Sequence, residues 1–493
     1  MTLSASVVAE LFFVLLVAVV CPGSSATTIQ WYRTARGNSD RLSQQTSITF
    51  GGDFTSSSTI TVNRQVTYQT VLGFGGAFTD SASYIFSKLN STLQAQLLDM
   101  YFSESGLKYN MARLPIGSCD FSLENYNYDN TSGDADLSKF SINHDKENII
   151  PFIKGALTTM QKWTNDSLNI VASPWSPPGW MKVPESPYCP QSCSNCELKD
   201  EYKHTWALYF SKFVSAYKSE EINIWGVTVQ NEPEYCPSNY ESMHFTPETE
   251  RDFIKTYLGP QLKEDHPDLN ILIYDHNKDH VVEWAKTIYS DSDAAQYVWG
   301  TAIHWYTGDQ FSNLNTTHNL FPDRPILATE STENRETNPK SPEWGKGEHY
   351  AHDIIGDMNN WVVGFIDWNL LLDVLGGPNH KGPDECEGAV KCGFDSMLLV
   401  DYNSQIIYPQ VFYYYVGHIS KFVPRESVRI DTVVAGSTLE TVAFLTPDKT
   451  VVVVVMNRQD HPVTFKLLDI VDGSKQAVRV TALARSIQTF MYR

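Results

Sequence analysis

A (β/α)8 barrel joined to an all-β sandwich built from both chain ends is the fold this sequence predicts, an α/β class with a second β domain. Three observations predict it. Between residues 71 and 403 short apolar runs alternate with longer amphipathic ones, the rhythm of repeated strand–helix units. Eight of those runs read as strands. Both chain ends, 46–66 and 429–493, drop the helical rhythm for β-branched alternation. The 493 residues are 42% apolar and 19% charged, which supports a large core and more than one domain.

In chain order the expected barrel strands are Val71 to Gly75, Tyr109 to Pro115, Leu168 to Pro174, Ile222 to Gln230, Asn270 to Tyr274, Val298 to His304, Pro325 to Thr329 and Val362 to Trp368. Most are almost continuously apolar, as strands covered on both faces must be. Ser83 to Tyr101, Tyr202 to Lys218, Pro247 to Leu258 and His349 to Trp361 carry apolar residues at three- and four-residue spacing and read as helices. A doubly wound sheet shares much of this pattern. The count of eight favours the closed barrel, as does the run of polar and aromatic residues at the strand ends, where barrel enzymes carry their chemistry.

At the ends, segments such as Thr59-Ile-Thr-Val, Leu439-Glu-Thr-Val-Ala-Phe-Leu and Val478-Arg-Val-Thr-Ala-Leu, separated by Pro-Asp or Asp-Gly turns, read as antiparallel strands. Neither tail has enough of them alone, so one sandwich from both is the economical solution. The expected division is 1–26 leader, 27–70 first sandwich strands, 71–407 barrel and 408–493 remaining sandwich.

Leu11 to Val20 is an unbroken apolar run of ten followed by Cys-Pro-Gly and Ser-Ser-Ala. It is too short to span a bilayer and matches a secretory signal core with cleavage after Ala26; a buried helix is the alternative. Sequons at Asn90, Asn130, Asn165 and Asn315 agree with secretion. Seven cysteines remain after cleavage, an odd number that leaves at least one thiol free or paired outside the chain. Cys189, Cys193 and Cys196 suggest disulfides more than a zinc knot in an oxidising lumen, and Cys386 with Cys392 is the first pair expected. Acidic residues outnumber basic ones, 57 to 37, so no phosphate-neutralising surface is built in and nucleic acid is excluded as a partner class.

Two carboxylates each end a barrel strand, Glu232 in Thr-Val-Gln-Asn-Glu-Pro and Glu330 in Ile-Leu-Ala-Thr-Glu-Ser. A carboxylate closing an apolar strand is costly to desolvate, so it is either paired with a loop cation or kept for function. Following strands four and seven, the two can face each other across the mouth. Retaining glycoside hydrolysis requires two carboxyls roughly 5–5.5 Å apart, one attacking the anomeric carbon and one protonating the leaving oxygen. Asn231 offers an amide to a sugar 2-hydroxyl. Physics alone does not say which glutamate plays which part. Asp275 and His276, after strand five, belong to the rim with a functional or structural role.

Gly73-Phe-Gly-Gly-Ala-Phe-Thr-Asp80, Arg113 to Ser122, Ser173-Pro-Trp-Ser-Pro-Pro-Gly-Trp-Met-Lys182, Asn231-Glu-Pro, Ala302-Ile-His-Trp-Tyr306, Ala328-Thr-Glu-Ser and Asp367-Trp-Asn369 together resemble the acid β-glucosidases, or glucosylceramidases, of glycoside hydrolase family 30. The resemblance runs from about residue 69 to the C-terminus and implies a barrel with a two-ended sandwich. It implies Glu232 as general acid/base and Glu330 as nucleophile. Asp80, Trp175, Asn231 and Trp368 match residues that hold the glucose. Arg113 and Tyr306, with His304 nearby, match those that keep Glu330 ionised and oriented. No metal or other cofactor is implied. The sequence departs from the family in four places: it lacks the disulfide-rich amino-terminal segment, shortens the loop 234–244 where Tyr240 stands for a rim aromatic, adds three cysteines within 183–198, and loses a sugar-holding Asn within 381–392.

The expectation is a retaining exo-β-glucosidase that releases glucose and ceramide from glucosylceramide in the lysosomal lumen or outside the cell. The resemblance implies a saposin-type activator and anionic lipid as partners. The rivals are a relative that cuts β-1,6-glucan, a xyloside or a steryl glucoside, and a catalytically silent sugar-binding protein on the same fold.

Overall fold

A computed structural model describes residues 27–190, 193–335, 343–380, 393–471 and 473–493. The expected leader and the expected Cys386–Cys392 pair lie outside them, as does the 381–392 departure. Eight parallel strands close into a barrel in sequence order: Gly73–Ala77, Met111–Ile116, Asn169–Pro174, Ile224–Thr228, Asn270–Asn277, Val298–His304, Ile326–Glu330 and Val362–Asn369. Each observed strand overlaps its expected range, with ends displaced by at most three residues and Val298–His304 matching at both ends. Gly75 is required where it stands, since a Cβ there would run into the Met111 carbonyl of the neighbouring strand.

The barrel interior is stratified by the period of two that strands impose on their side chains. Met111, Val171, Leu272, Ala302, Leu327, Val363 and Ile366 fill its floor with apolar volume. Two residues further along their strands, the same inward direction delivers Arg113, Ser173 and Thr329 to the layer above, and all three are fully buried. The change from carbon to polar atoms therefore occurs within one step of the pleat, just below the mouth.

Among the helices, the expected Ser83 to Tyr101 helix is two, Asp80–Lys88 and Ser91–Phe102. The break is chemical. Leu89 takes an extended conformation and the Asn90 side chain accepts from Leu93 N–H at 3.0 Å, starting a new helix as an N-cap. The expected Pro247 to Leu258 helix is α over Pro247–Phe253, begun by a Thr246 capping box, then widens to a π turn over Ile254–Leu258 and resumes at Gly259–Asp265. Pro260 explains the widening, because it supplies no N–H to Thr256 and crowds its carbonyl. Lys203–Ser219 and Trp344–Asn359 occupy the other two expected helical regions.

Both chain ends enter one sandwich sheet. Thr28–Ala35 pairs antiparallel with Ser486–Tyr492, and Thr59–Thr70 lies between Val428–Ala435 and Val463–Val471. One expectation is corrected here: the pairing of Thr59–Thr70 with Val463–Val471 is parallel, because the two strands arrive from opposite ends of the chain and need no hairpin between them. In Val451–Asn457 alternate valines divide the work. Val451, Val453 and Val455 enter the sandwich core, whereas Val452, Val454 and Met456 pack with the barrel cluster. Helix Val411–Ser420 rests on both units, its His418 between Thr34 and Thr489 of the sandwich.

Of two disulfides, Cys189–Cys196 closes the excursion after the third strand on itself and Cys193–Cys236 staples that excursion to the loop after the fourth. Cys119 is a buried free thiol. The four sequon asparagines are all exposed. Among the described residues no helix is long and apolar enough to cross a membrane.

Candidate active site

A cavity of about 600 Å³ opens at the C-terminal mouth of the barrel, lined by Glu232 and Glu330 together with Asp120, Tyr240, His276, Tyr306 and Trp368. The strands fix these side chains in the polar layer and just above it. Arg113 is the hub of that layer. Its guanidinium is fully buried and donates to Asn231 Oδ1 at 2.8 Å, to Asp275 Oδ2 at 2.7 Å, to Ser173 Oγ at 3.2 Å and to Glu330 Oε2. Burial pulls the guanidinium pKa down, but the carboxylates of Asp275 and Glu330 more than offset it and the net direction is up. Glu330 is completed on its other oxygen by the Tyr306 hydroxyl at 2.8 Å.

Glu232 has different company. Its Oε1 stands 3.2 Å from His276 Nδ1 and 3.2 Å from His304 Nδ1. Burial pushes the Glu232 carboxyl up; hydrogen bonds to the two imidazoles and their charge outweigh it, leaving the carboxyl well below its usual range. His304 is driven down by burial and more strongly up by Glu330, Asp275 and Glu232, reaching about 9. Its Nε2 faces Asp275 Oδ1 at 3.1 Å, and Asp275 also accepts from Thr228 and Thr329 at 2.7 and 2.6 Å. His304 Nδ1 is 4.0 Å from Glu330 Oε1, so the facing oxygens of the two glutamates are no farther apart than that distance plus the 3.2 Å to Glu232.

Backbone strain marks the same place. Glu232, Tyr274 and Asp275 all have positive φ, at 45°, 75° and 54°, a region disfavoured for residues with a Cβ and retained where surrounding structure over-determines it. The Glu232 N–H donates to the Asp275 carbonyl at 3.0 Å and Asn231 N–H to Pro174 O at 2.9 Å, which aims the Asn-Glu pair across the mouth.

Of the residues expected at this site, Glu232, Glu330, Tyr306 and Trp368 line the cavity, and Asn231, Arg113 and His304 are buried against them. Trp175 is buried rather than in the wall: its ring stacks on Trp368, centroids 5.1 Å apart, and Arg113 lies 5.0 Å from it. Asp80 is not among the residues that line the cavity. It sits in the first turn of Asp80–Lys88, accepts from Leu123 N–H at 3.0 Å and faces His144 Nε2 at 3.1 Å. Asp120, inside the Arg113 to Ser122 motif, is the aspartate that lines the wall. The helix-start position of Asp80 suffices to explain its carboxylate, which favours the positive end of a helix.

Sequence reasoning passed over Asp120 and assigned Asp275 only to the rim, whereas Asp275 is fully buried at the centre of the polar layer. A signal for Asp275 was present, since it follows the apolar run Ile271 to Tyr274 where a buried carboxylate demands a cation, and Arg113 is a cation inside another barrel strand. Glu241 is a further buried acid. It accepts from Ser118 Oγ at 2.6 Å and meets His380 Nε2 at 3.2 Å, tying the loop after the eighth strand to the loop that carries Tyr240.

Residues 71–423 match the glycosyl hydrolase family 30 TIM-barrel domain and residues 426–490 its beta sandwich domain. The chain is 36% identical over 416 residues to lysosomal acid glucosylceramidase of Mus musculus, covering 82% of this chain and 78% of that one. It is 30% identical over 384 residues to an endo-1,6-beta-D-glucanase of Neurospora crassa, covering 76% of each. The structure of SrfJ from Salmonella typhimurium superposes with a TM-score of 0.85 at 31% identity over 94% of this chain and 99% of that one. A barrel mouth with two facing glutamates, on a chain matched by both domains of one enzyme family, makes this protein a glycosidase of glycoside hydrolase family 30.

Proposed function

We propose that the protein is a retaining β-glucosidase that hydrolyses glucosylceramide to glucose and ceramide, with Glu330 as nucleophile and Glu232 as acid/base. The observation that carries this reading is His304 standing between the two glutamates, 3.2 Å from one and 4.0 Å from the other. Those two distances together set an upper limit on the gap between the facing oxygens, a limit that includes the roughly 5–5.5 Å double displacement uses and excludes most of the roughly 6.5–9.5 Å that accommodates an intervening water.

The two surroundings divide the roles. Glu330 is ion-paired to Arg113 and anchored by Tyr306, so its oxygen is oriented for attack on the anomeric carbon. As the Glu330–C1 bond forms, the bond from C1 to the aglycone oxygen breaks, and that oxygen takes a proton from Glu232. The proton that Glu232 passes on is held at His304, whose raised affinity keeps it 3.2 Å from Oε1. Water then attacks C1, the Glu330–C1 bond breaks, and Glu232 accepts the water proton. Asn231, whose Oδ1 is taken by Arg113, keeps its NH2 for the sugar 2-hydroxyl. Asp120 replaces Asp80 as acceptor from sugar hydroxyls, and Trp368 offers its ring to the C–H face.

A glucosylceramide substrate is favoured over β-1,6-glucan by the higher identity to the mouse glucosylceramidase than to the fungal glucanase. An acidic lumen is favoured by buried acids. Burial raises Asp145 to about 6 and Glu250 to about 8, and both carboxyls are accommodated best when protonated. Anionic lipid and a saposin-type activator complete this reading by family resemblance. The test compares glucosylceramide, β-1,6-glucan, a xyloside and a steryl glucoside at acidic pH and follows the anomer of the released sugar. Preferred cleavage of glucosylceramide with β-glucose formed first is expected. A preferred β-1,6-glucan, or α-glucose as first product, would overturn the substrate or the mechanism respectively, and no turnover of any β-glucoside would leave a silent sugar binder.

A further inference from the structure

We propose that Glu232, His276 and His304 form a site for a zinc-class divalent cation, and that the bound ion inhibits hydrolysis by withholding Glu232 from the substrate. The three donor atoms, Glu232 Oε1 and the two Nδ1 atoms, lie within 4.8 Å of one another, and the oxygen is 3.2 Å from each nitrogen. Bonds of about 2.0–2.1 Å in a tetrahedral site separate neighbouring ligand atoms by about 3.3–3.4 Å. Two of the three edges therefore match before anything moves.

The surroundings of the triad are those of a ligating set. Each donor lies at a different barrel strand end, so the backbone fixes their spacing. His304 has its outer nitrogen on Asp275 Oδ1 at 3.1 Å, the carboxylate–imidazole arrangement that orients a metal-bound histidine and raises its basicity. Asp275 is itself held by Arg113, Thr228 and Thr329. The carboxylates of Glu232, Asp275 and Glu330 all lie at or beside the triad, a concentration of negative charge that attracts a dication. Glu232 and His276 line the cavity, which gives the ion a path in and a fourth position for water. Two imidazoles and one carboxylate suit zinc, copper or cobalt, and not magnesium or calcium, which take oxygen ligands. Binding needs only the triad; inhibition rests additionally on Glu232 being the proton donor.

The test uses the whole mature protein, stripped with chelator and titrated at pH 7 with Co2+ as a coloured probe and then with Zn2+. One equivalent should give a tetrahedral cobalt band that zinc removes, zinc should inhibit β-glucoside turnover reversibly by chelator, and magnesium should do neither. His276→Gln should weaken cobalt binding by about 10-fold or more. Should that variant not fold, the wild-type protein labelled at Glu330 by a cyclitol epoxide and checked by mass should lose the band, because the label fills the cavity. Absence of a stoichiometric band, undiminished binding in His276→Gln, or a band that survives labelling would overturn the site. A cobalt band without zinc inhibition, or without any β-glucosidase activity, would leave the site standing and overturn the role given to Glu232.

Discussion

The floor and the mouth of the barrel are built from the same eight strands, yet they obey opposite rules. On Ile326–Glu330, Leu327 is one of seven apolar side chains that fill the floor without a polar atom, and Glu330, three residues on, lies in a layer where nearly every group is charged or hydrogen-bonded. The floor relies on volume and is indifferent to orientation. The mouth relies on direction, and three of its backbone positions are strained to achieve it. Burial thus serves stability below and chemistry above, because the low local polarity that makes an unpaired charge costly also makes a paired one effective.

The sharpest way to break that comparison is to mutate the same strand twice. Glu330→Gln should cost on the order of 10³-fold or more in kcat while leaving the melting temperature close to that of the parent, and Glu232→Gln should do likewise with good leaving groups least affected. Steady-state kinetics beside calorimetry checks both; full activity in either variant would remove the proposed mechanism. Leu327→Ala should do the reverse. Truncating a fully buried leucine costs about 2–5 kcal/mol, so unfolding should come early in denaturant, while kcat/KM of the folded enzyme stays near the parent value. A large loss of kcat/KM in Leu327→Ala would mean that floor and mouth are one mechanical unit.

What the sequence made legible follows from the same division. All eight barrel strands could be read because a strand covered on both faces leaves a continuous apolar run, and Glu232 and Glu330 could be read because each interrupts such a run with a charge. The helix break at Asn90 left the apolar spacing intact on both sides, so periodicity passed over it, and the parallel pairing of Thr59–Thr70 with Val463–Val471 is a contact between chain ends that no local pattern encodes. At the site, Asp80 and Asp120 are both aspartates a few residues past the end of a barrel strand. Only the fold distinguishes one that starts a helix from one that faces a cavity. Trp175 and Trp368 were alike in sequence position, and their stacking, which turns Trp368 to the cavity and backs it with Trp175 and Arg113, depends on three strands at once.

The smallest effect distinguishes the two regions by their response to protons. Glu250 is fully buried beside the barrel, accepts only the Tyr274 N–H at 3.0 Å among the described contacts, and is raised by burial to about 8. A carboxyl whose pKa is higher folded than unfolded binds more protons in the native state over the interval between the two values. Its contribution is therefore complete below the unfolded value near 4.3 and declines as pH rises towards 8. Asp275 runs the other way: although burial raises it, Arg113 and His304 depress it below its unfolded value, so its contribution is complete above about 4 and is lost only in stronger acid. Glu250→Gln keeps an oxygen for Tyr274 N–H and removes the titration. It should flatten the fall in stability between pH 5 and 8 by about 1 kcal/mol or more, measured by denaturant unfolding across that range, and leave the pH profile of kcat unchanged. An unflattened slope would show that Glu250 is ionised in the fold, and a shifted activity profile would show that the group reaches the mouth through Tyr274 and Asp275.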